Sequence, residues 1–504
     1  MSYVTQLAKG AGITFIGMVA SKILSFAYRT FLGRTLGPEQ YGLFALALAG
    51  FFLAQNLATL SLDQAVKKFM PEQLSPEHTF QVLYSSLRVA LPLSLLTAVG
   101  LFFGAPLFEN FLEQGLSMPL KILAIVVPFG VLSGIVVPTF ASHNRMQYTV
   151  ITNHLFQNSL KLATAIAAVS LGMGLAGVIW GFALSVFLSS LLAVYFVVEK
   201  VGVEFSVPED KPTKKYVRYS WPLFFSGLIG FVLGWTDTVM LGYYLDSAQV
   251  GIYNAAFPLA QVLTVFLGAT GSINLPLMSK LYSKGKLGEI NDFYQTNTRW
   301  ILTFTAPAFL VLFLFPEPVL ALTFGREYVS GALALRILSA GFFIAAAAGP
   351  VEQLLKTTER TSFVLYNNAV AAGGNVVLNV ALIPVLGLPG AAAASLASRA
   401  FSNIAGLVEN FYLDGIHPFH RDLVPVVAAS IVSVAITYAT IKTVQPVTPL
   451  RTLIPGAVLF GLVYGLTLWA LGGIKEEDRE VIVGTFRKIK QEELGEKLAE
   501  LLIR

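Results

Sequence analysis

Seven ionisable residues sit well inside long apolar runs: Lys22, Arg29, Arg88, Lys161, Arg336, Arg399 and Asp237. A charge at the centre of a bilayer costs about 2.5–3.5 kcal/mol on insertion scales, so each must face a wet cavity or a partner. Six bases against one deep acid make a cationic lining, which suits an anionic headgroup and disfavours a cationic cargo. Guanidinium grips phosphate bidentately and keeps its charge, which puts Arg29 and Arg399 first as phosphate ligands, with Lys161 and Lys22 next. Lys22 and Arg29 are seven residues apart and share a helical face. Arg88 and Arg336 lie nearer the ends of their runs, where a long stem reaches the interface. Asp237 has two readings: it couples transport to Na⁺ or H⁺, or it neutralises a neighbouring base, which is the preferred one. Asp63, Glu352 and Glu409 lie near inner ends, within reach of headgroups or loop lysines.

Positioning these residues takes membrane helices. The chain has 504 residues, 55% of them hydrophobic and 12% charged. Soluble domains carry about 25% charged residues, so lipid is the solvent here. A crossing needs about 20 apolar residues. The sequence divides into fourteen such runs: 10–36, 40–64, 80–104, 118–140, 148–171, 175–198, 219–245, 250–273, 297–316, 329–351, 361–384, 388–411, 423–444 and 450–472. The first is longer than the apolar core of a cleaved signal peptide and is read as a retained span. An even number places both termini on one side. With that side cytoplasmic, 23 Lys and Arg fall inside, 5 outside and 6 within the runs. This bias fixes the orientation and accounts for the net charge of +5 without invoking nucleic acid. Residues 34–41 form an outer turn, where Gly37 and Pro38 break the helix. The tail after Leu471 carries a helix with Ile482, Phe486 and Ile489 on one face.

Three matches at nearly one offset reveal a repeat. Leu32, Gly33, Leu36, Gln40 and Gly42 recur as Leu241, Gly242, Leu245, Gln249 and Gly251, an offset of 209. GLAGVIWGFALS (Gly174 to Ser185) recurs as GLPGAAAASLAS (Gly387 to Ser398) at offset 213. Arg145, Tyr148 and Asn153 recur as Arg360, Phe363 and Asn368 at offset 215. Two six-helix bundles follow, 1–205 and 206–415, in the same orientation, with two added transmembrane helices in 416–473 and a charged cytoplasmic tail, 474–504. Parallel repeats of this kind build transporters that rock about a central site.

RTLGPEQYGLFALALA (Arg34 to Ala49) and WTDTVMLGYYLDSAQVGIYNAAFPLAQ (Trp235 to Gln261) resemble the Wzx-type polysaccharide flippases. That family shares a superfamily with MATE drug exporters and peptidoglycan-precursor flippases. The resemblance implies an all-α integral membrane protein of the cell membrane, with about fourteen transmembrane helices and the two repeats in a V-shaped, MATE-like arrangement. It implies alternating access and a polyprenyl-(pyro)phosphate-linked oligosaccharide, moved from the inner to the outer leaflet by a monomer. The alternative is a MATE-like, ion-coupled multidrug or small-molecule antiporter. An enzyme is disfavoured, because the largest outer loop, 105–119, offers only Glu109 and Glu113 as acids. No cofactor is called for. Without cysteine there is no thiolate chemistry, and His143 and His154 are too isolated for a metal, with His417 and His420 in an inner loop.

Gln55, Asn56, Asn153, Gln157, Asn158, Asn254, Gln261, Asn274, Asn375 and Asn379 have two readings. They bind sugar hydroxyls, or they join helices at about 0.6 kcal/mol each. Gly230 and Gly234 form a GxxxG that reads as close helix packing.

Overall fold

The computed structural model describes residues 3–205, 212–443, 449–475, 478, 479, 496, 497 and 500. The expected tail helix through Ile482, Phe486 and Ile489 lies outside the described residues. Among the described residues every regular element is a helix. Ten are long and apolar enough to cross a membrane.

The difference from fourteen runs has identifiable causes. The first two runs share one continuous element, α1 (Tyr3–Thr59), in which only Gly37 is non-helical (φ 74°, ψ 172°). The chain nonetheless reverses there. The Tyr28 and Phe44 rings are 6.1 Å apart, whereas sixteen residues of straight helix would separate them by about 24 Å. Glycine alone reaches that φ without strain, and Pro38 then opens the second arm. The run 148–171 is cut by a π-helical turn, Val150–Phe156, before α5 (Gln157–Ser170). The run 388–411 is a single 27-residue helix with Ala and Ser through its first half, and of the final run Val458–Ala470 is described as a shorter apolar helix.

Between them lie α2 (Leu62–Phe69), α3 (Pro76–Phe111) and α4 (Ser117–Val136). Then come α6 (Gly174–Phe196), α7 (Thr213–Tyr244), α8 (Ser247–Gln261), α9 (Val265–Tyr282), α10 (Leu287–Leu314) and α11 (Ala332–Ala348). The series ends with α12 (Thr361–Leu386), α13 (Leu388–Asp414), α14 (Leu423–Thr443) and α15 (Pro449–Ala470). Helix starts follow local chemistry. Ser75 accepts the His78 N–H at 3.1 Å, and Pro76 takes the first helical position of α3. In α2, Leu62, Ala65, Val66 and Phe69 are buried while Asp63 and Lys67 pair at 3.0 Å on the other face.

The chain forms two compact units, residues 1–258 with 372–394, and residues 259–371 with 395–504. In the first, Gln40 and Gln249, which follow the turns at Gly37 and Leu245, each lie beside a glycine. A Cβ on Gly174 would meet Gln40 Oε1 at 3.9 Å, and one on Gly387 would meet Gln249 Oε1 at 3.8 Å. Both glycines have positive φ, 55° and 64°. In the second unit, Met278, Ile290, Tyr294, Leu354 and Leu355 form one core, and Leu302, Val426, Ala429 and Leu468 another. Arg299 is buried there, and its guanidinium makes a bidentate pair with Asp478 at 2.7 and 2.9 Å. Trp300 Nε1 donates to the same carboxylate at 2.6 Å. Large apolar side chains such as Leu96, Phe103 and Leu107 on α3 are exposed, as expected of surfaces that meet acyl chains.

Candidate functional site

In the first unit, α5 brings Lys161 over an aromatic floor, and Arg29 of α1 lies within electrostatic reach of it. Lys161 Nζ stands 6.0 Å above the Tyr28 ring and 5.8 Å above Phe182. Phe44 completes the floor, edge-on to Phe182 at 6.2 Å and stacked on Tyr41 at 6.5 Å. Arg29 acts electrostatically on Lys161, Tyr28 and Tyr41. Among the described residues, no carboxylate makes an ion pair with Arg29 or Lys161. The two cations therefore repel each other where water is scarce, an arrangement relieved by an anion between them. Tyr28 is only 6% exposed, and its hydroxyl meets no protein partner. A buried hydroxyl in that state carries a desolvation penalty of about 1–3 kcal/mol. One guanidinium, one ammonium and one phenolic donor together match a phosphate. Tyr28 escaped the sequence reading because an aromatic residue in an apolar run carries no signal of its own.

The other expected cations fall into different settings. Lys22 is exposed on α1 and acts on His154, whose Nδ1 lies 3.3 Å from Ser21 Oγ. Arg88 is exposed on α3 and lines an apolar groove of about 530 Å³ with Phe80, Leu91, Val194 and Phe205. In the second unit, Arg336 donates from Nε to the Phe313 carbonyl at 2.8 Å, with its guanidinium carbon 5.9 Å from the centroid of the Phe313 ring. Arg399 lies flat on Phe342, 4.0 Å from its centroid.

Asp237 is buried on α7, and the donors to its carboxylate include Tyr253 at 2.5 Å, Asn379 at 2.8 Å and Asn375 at 3.3 Å. Asn379 also donates to Asn375 Oδ1 at 3.0 Å, and its own Oδ1 is buried without a partner. Both amides thus turn an N–H toward the carboxylate, and Asn375 Oδ1 is taken up by Asn379 Nδ2. At offset 209, Asp237 corresponds to Tyr28 and Tyr253 to Phe44. Lys161 corresponds to 374–376, a window that contains Asn375. Positions matched by these sequence offsets thus carry Tyr28 and Lys161 on one side, and Asp237 with a window containing Asn375 on the other.

Several sequence readings change. Gly230 and Gly234 do not pack closely, since a Cβ on either would meet nothing within 4 Å. Asn254 pairs with Thr238, and Asn274 with Asn297 and Thr270, joining helices. The loop acids are structural. Glu109 accepts the Gly115 N–H at 2.7 Å, and Glu113 accepts the Ser247 N–H at 3.0 Å. His143, outside the spans, is held below its ordinary pKa by burial and by nearby Arg145, against the opposing hydrogen bond to the Thr139 carbonyl. Among the described residues no three His, Cys, Asp or Glu cluster as a metal site.

A model of the polysaccharide biosynthesis protein family matches residues 7–282, more than half of the chain. The chain belongs to that family. A MatE model matches residues 222–381, the stretch that holds Asp237, Asn375 and Asn379. Among relatives of this polysaccharide biosynthesis protein, the probable low-salt glycan biosynthesis flippase Agl15 of Haloferax volcanii is 22% identical over 401 residues, spanning 79% of this chain and 82% of its own. The lipid II flippase MurJ, in an inward closed conformation, superposes with a TM-score of 0.75 at 15% identity, covering 90% of this chain and 97% of its own. An inward-facing multidrug resistance MATE transporter superposes with a TM-score of 0.60 at 15% identity, covering 82% and 95%. The family member therefore has the MurJ- and MATE-like fold.

Proposed function

We propose that this protein is a flippase that carries a lipid-linked, phosphate-bearing oligosaccharide from the inner to the outer leaflet of the cell membrane. The observation that carries this reading is the Arg29–Lys161 pair, set on buried aromatics beside the unpartnered Tyr28 hydroxyl. These three groups hold the phosphate, with Lys22 and Arg88 guiding it from the inner leaflet and Arg336 and Arg399 serving later in the cycle. The lipid tail stays in the bilayer. Family membership and the glycan-flippase relative Agl15 support the cargo class.

The architecture that goes with this function is two six-helix bundles, 1–205 and 206–415, in a V-shaped arrangement. Two added helices in 416–473 bring the crossings to fourteen, and a charged tail follows, with both termini cytoplasmic. The recurring Gln40–Gly174 and Gln249–Gly387 contacts support the repeat. Asp237, held by the Asn375 and Asn379 amides, takes up Na⁺ or H⁺, and the match to the MatE model over this stretch supports coupling. An inside-negative potential adds about 2.3 kcal/mol per anionic charge per 100 mV toward export. The reading as a multidrug antiporter fits less well, because the wall of the first unit carries cations where an organic cation needs carboxylates.

The test is reconstitution with a fluorescent polyprenyl-pyrophosphate oligosaccharide, scoring outward movement by loss of accessibility to a quencher. Arg29→Ala should abolish movement. Wild-type protein that moves no such lipid under imposed potential or ion gradients would sink the proposal.

A further inference from the structure

A second polar cavity lies in the first unit, of about 480 Å³, within the range of about 300–1,000 Å³ typical of small-ligand sites. Its floor is the face of α7 that carries Gly227, Gly230 and Gly234. Spacings of three and four put these glycines on one side of the helix. Missing side chains at Gly230 and Gly234 are what open the space, since a Cβ there would touch nothing. One wall is aromatic: Phe52 and Trp235 lie 5.3 Å apart and tilted by 34°. The opposite rim is polar, with Gln55, Asn56, Thr59, Ser61 and Asp63. Leu60 and Ser61 both adopt left-handed backbone (φ 47° and 54°), turning the chain sharply at this rim.

One N–H each of Gln55 and Asn56, and the Thr59 hydroxyl, are already committed. Gln55 Nε2 donates to the Gly130 carbonyl at 2.8 Å, Asn56 Nδ2 to the Gly227 carbonyl at 3.4 Å, and Thr59 to the Gln55 carbonyl at 2.7 Å. What the rim offers a ligand is therefore mainly acceptors: the side-chain oxygens of Gln55, Asn56 and Asp63. Acceptors repel a phosphate and receive hydroxyl donors. Asp63 is already balanced by Lys67 at 3.0 Å, so the cavity lacks the net negative charge that would draw an organic cation. An aromatic face opposite a row of acceptors is the chemistry of a pyranose ring, whose C–H face is apolar and whose edge carries hydroxyls.

We propose that this cavity is a neutral-sugar site, which stacks one pyranose of the cargo on Trp235 and Phe52 and binds its hydroxyls through Gln55, Asn56 and Asp63. The assignment rests on the flippase reading above and adds to it the part of the glycan that is recognised. The glycan is then read apart from its phosphate, by different residues.

The chain contains no cysteine, so one introduced thiol reports without background. Gly230→Cys puts that thiol in the open space of the cavity; Gly234→Cys serves the same purpose if the first variant folds poorly. Labelling by a maleimide is followed with added methyl glycosides, inorganic pyrophosphate or tetraphenylphosphonium. Neutral glycosides should slow labelling, and the other two should not. Adding Trp235→Ala should raise the half-protecting glycoside concentration about tenfold, and Trp235→Phe should restore it. Protection only by the phosphonium, only by pyrophosphate, or by nothing overturns the proposal. Flipping by Gly230→Phe at the wild-type rate would overturn it too, leaving the flippase reading intact. A wild-type protein that flips no lipid-linked glycan, while glycosides still shield the thiol, removes the flippase reading and keeps the sugar site.

Discussion

Gly42 and Gly251, equivalent residues 209 apart, pack against each other reciprocally. A Cβ on Gly42 would lie 1.7 Å from the Ser247 carbonyl oxygen, and a Cβ on Gly251 would lie 2.0 Å from that of Pro38. Pro38 and Ser247 are themselves 209 apart. Each turn thus uses its glycine to seat the carbonyl of the other, the pattern of a contact across a two-fold axis.

Gly42→Ala and Gly251→Ala should each destabilise the protein by about 3 kcal/mol or more, because the obstacle is backbone and cannot swing away. Gly230→Ala is the control: a helical glycine in open space gains about 0.5–1 kcal/mol from alanine. Thermal melting in detergent reads all three. A Gly42→Ala protein as stable as wild type would refute the packing.

Lys161→Met should leave the melting temperature equal or higher while outward flipping falls at least about tenfold, a loss of 1.4 kcal/mol of transition-state stabilisation. Removing one of two repelling cations relieves strain in the resting protein but discards a phosphate ligand. Tyr28→Phe should act in the same direction, more weakly. A variant that both melts early and flips normally would mean that Lys161 is a packing residue.

Asp237→Asn should abolish any response of flipping to imposed Na⁺ or proton gradients, while leaving a residual response to membrane potential. Asn379→Leu should do the same, since it removes a hydrogen-bond donor to the carboxylate. Flux measured under each gradient separately decides the matter. Gradient dependence that persists in Asp237→Asn would place coupling elsewhere.

Asp478, beyond the last span, should be a stability determinant with a defined pH window. Burial alone would raise its pKa, but hydrogen bonds from Arg299, the Lys475 N–H and Trp300 outweigh that and hold it below the ordinary 3.8. A carboxylate lowered in the folded state stabilises above pH 3.8 and loses that contribution as pH falls through the folded value. Asp478→Asn should destabilise at neutral pH by about 3–5 kcal/mol, because Arg299 is left buried without its counter-charge. Wild type and variant should then converge in melting temperature below pH 3.8. Equal melting at pH 7 would exclude a stabilising role for the pair. The neighbouring Lys475–Asp422 pair, at 2.9 Å, is exposed, and Asp422→Asn should change little.

Much of this was legible along the chain. Apolar runs report membrane helices because lipid cannot satisfy the backbone, so length and hydropathy alone set the fold class. The reversal at Gly37-Pro38, the motifs that recur at offsets of 209 to 215 and the intramembrane cations are likewise local facts. Glycine and proline act on their own backbone, and a charge in an apolar run stands out whatever its neighbours. What a side chain meets is a different matter, because it depends on which helices pack together. Gly230 and Gly234 have the spacing of a packing motif, yet among the described residues nothing would meet a Cβ on either, and they line a cavity. Asn375 and Asn379 look like any polar pair on a helix until α12 sets them against Asp237. Tyr28 and Trp235 are ordinary aromatic residues in sequence. Only the tertiary arrangement gives one an unpartnered hydroxyl beside two cations and the other a sugar-sized space. Periodicity is a property of one helix and is written in its residues; a site is a property of several, and appears only where their faces converge.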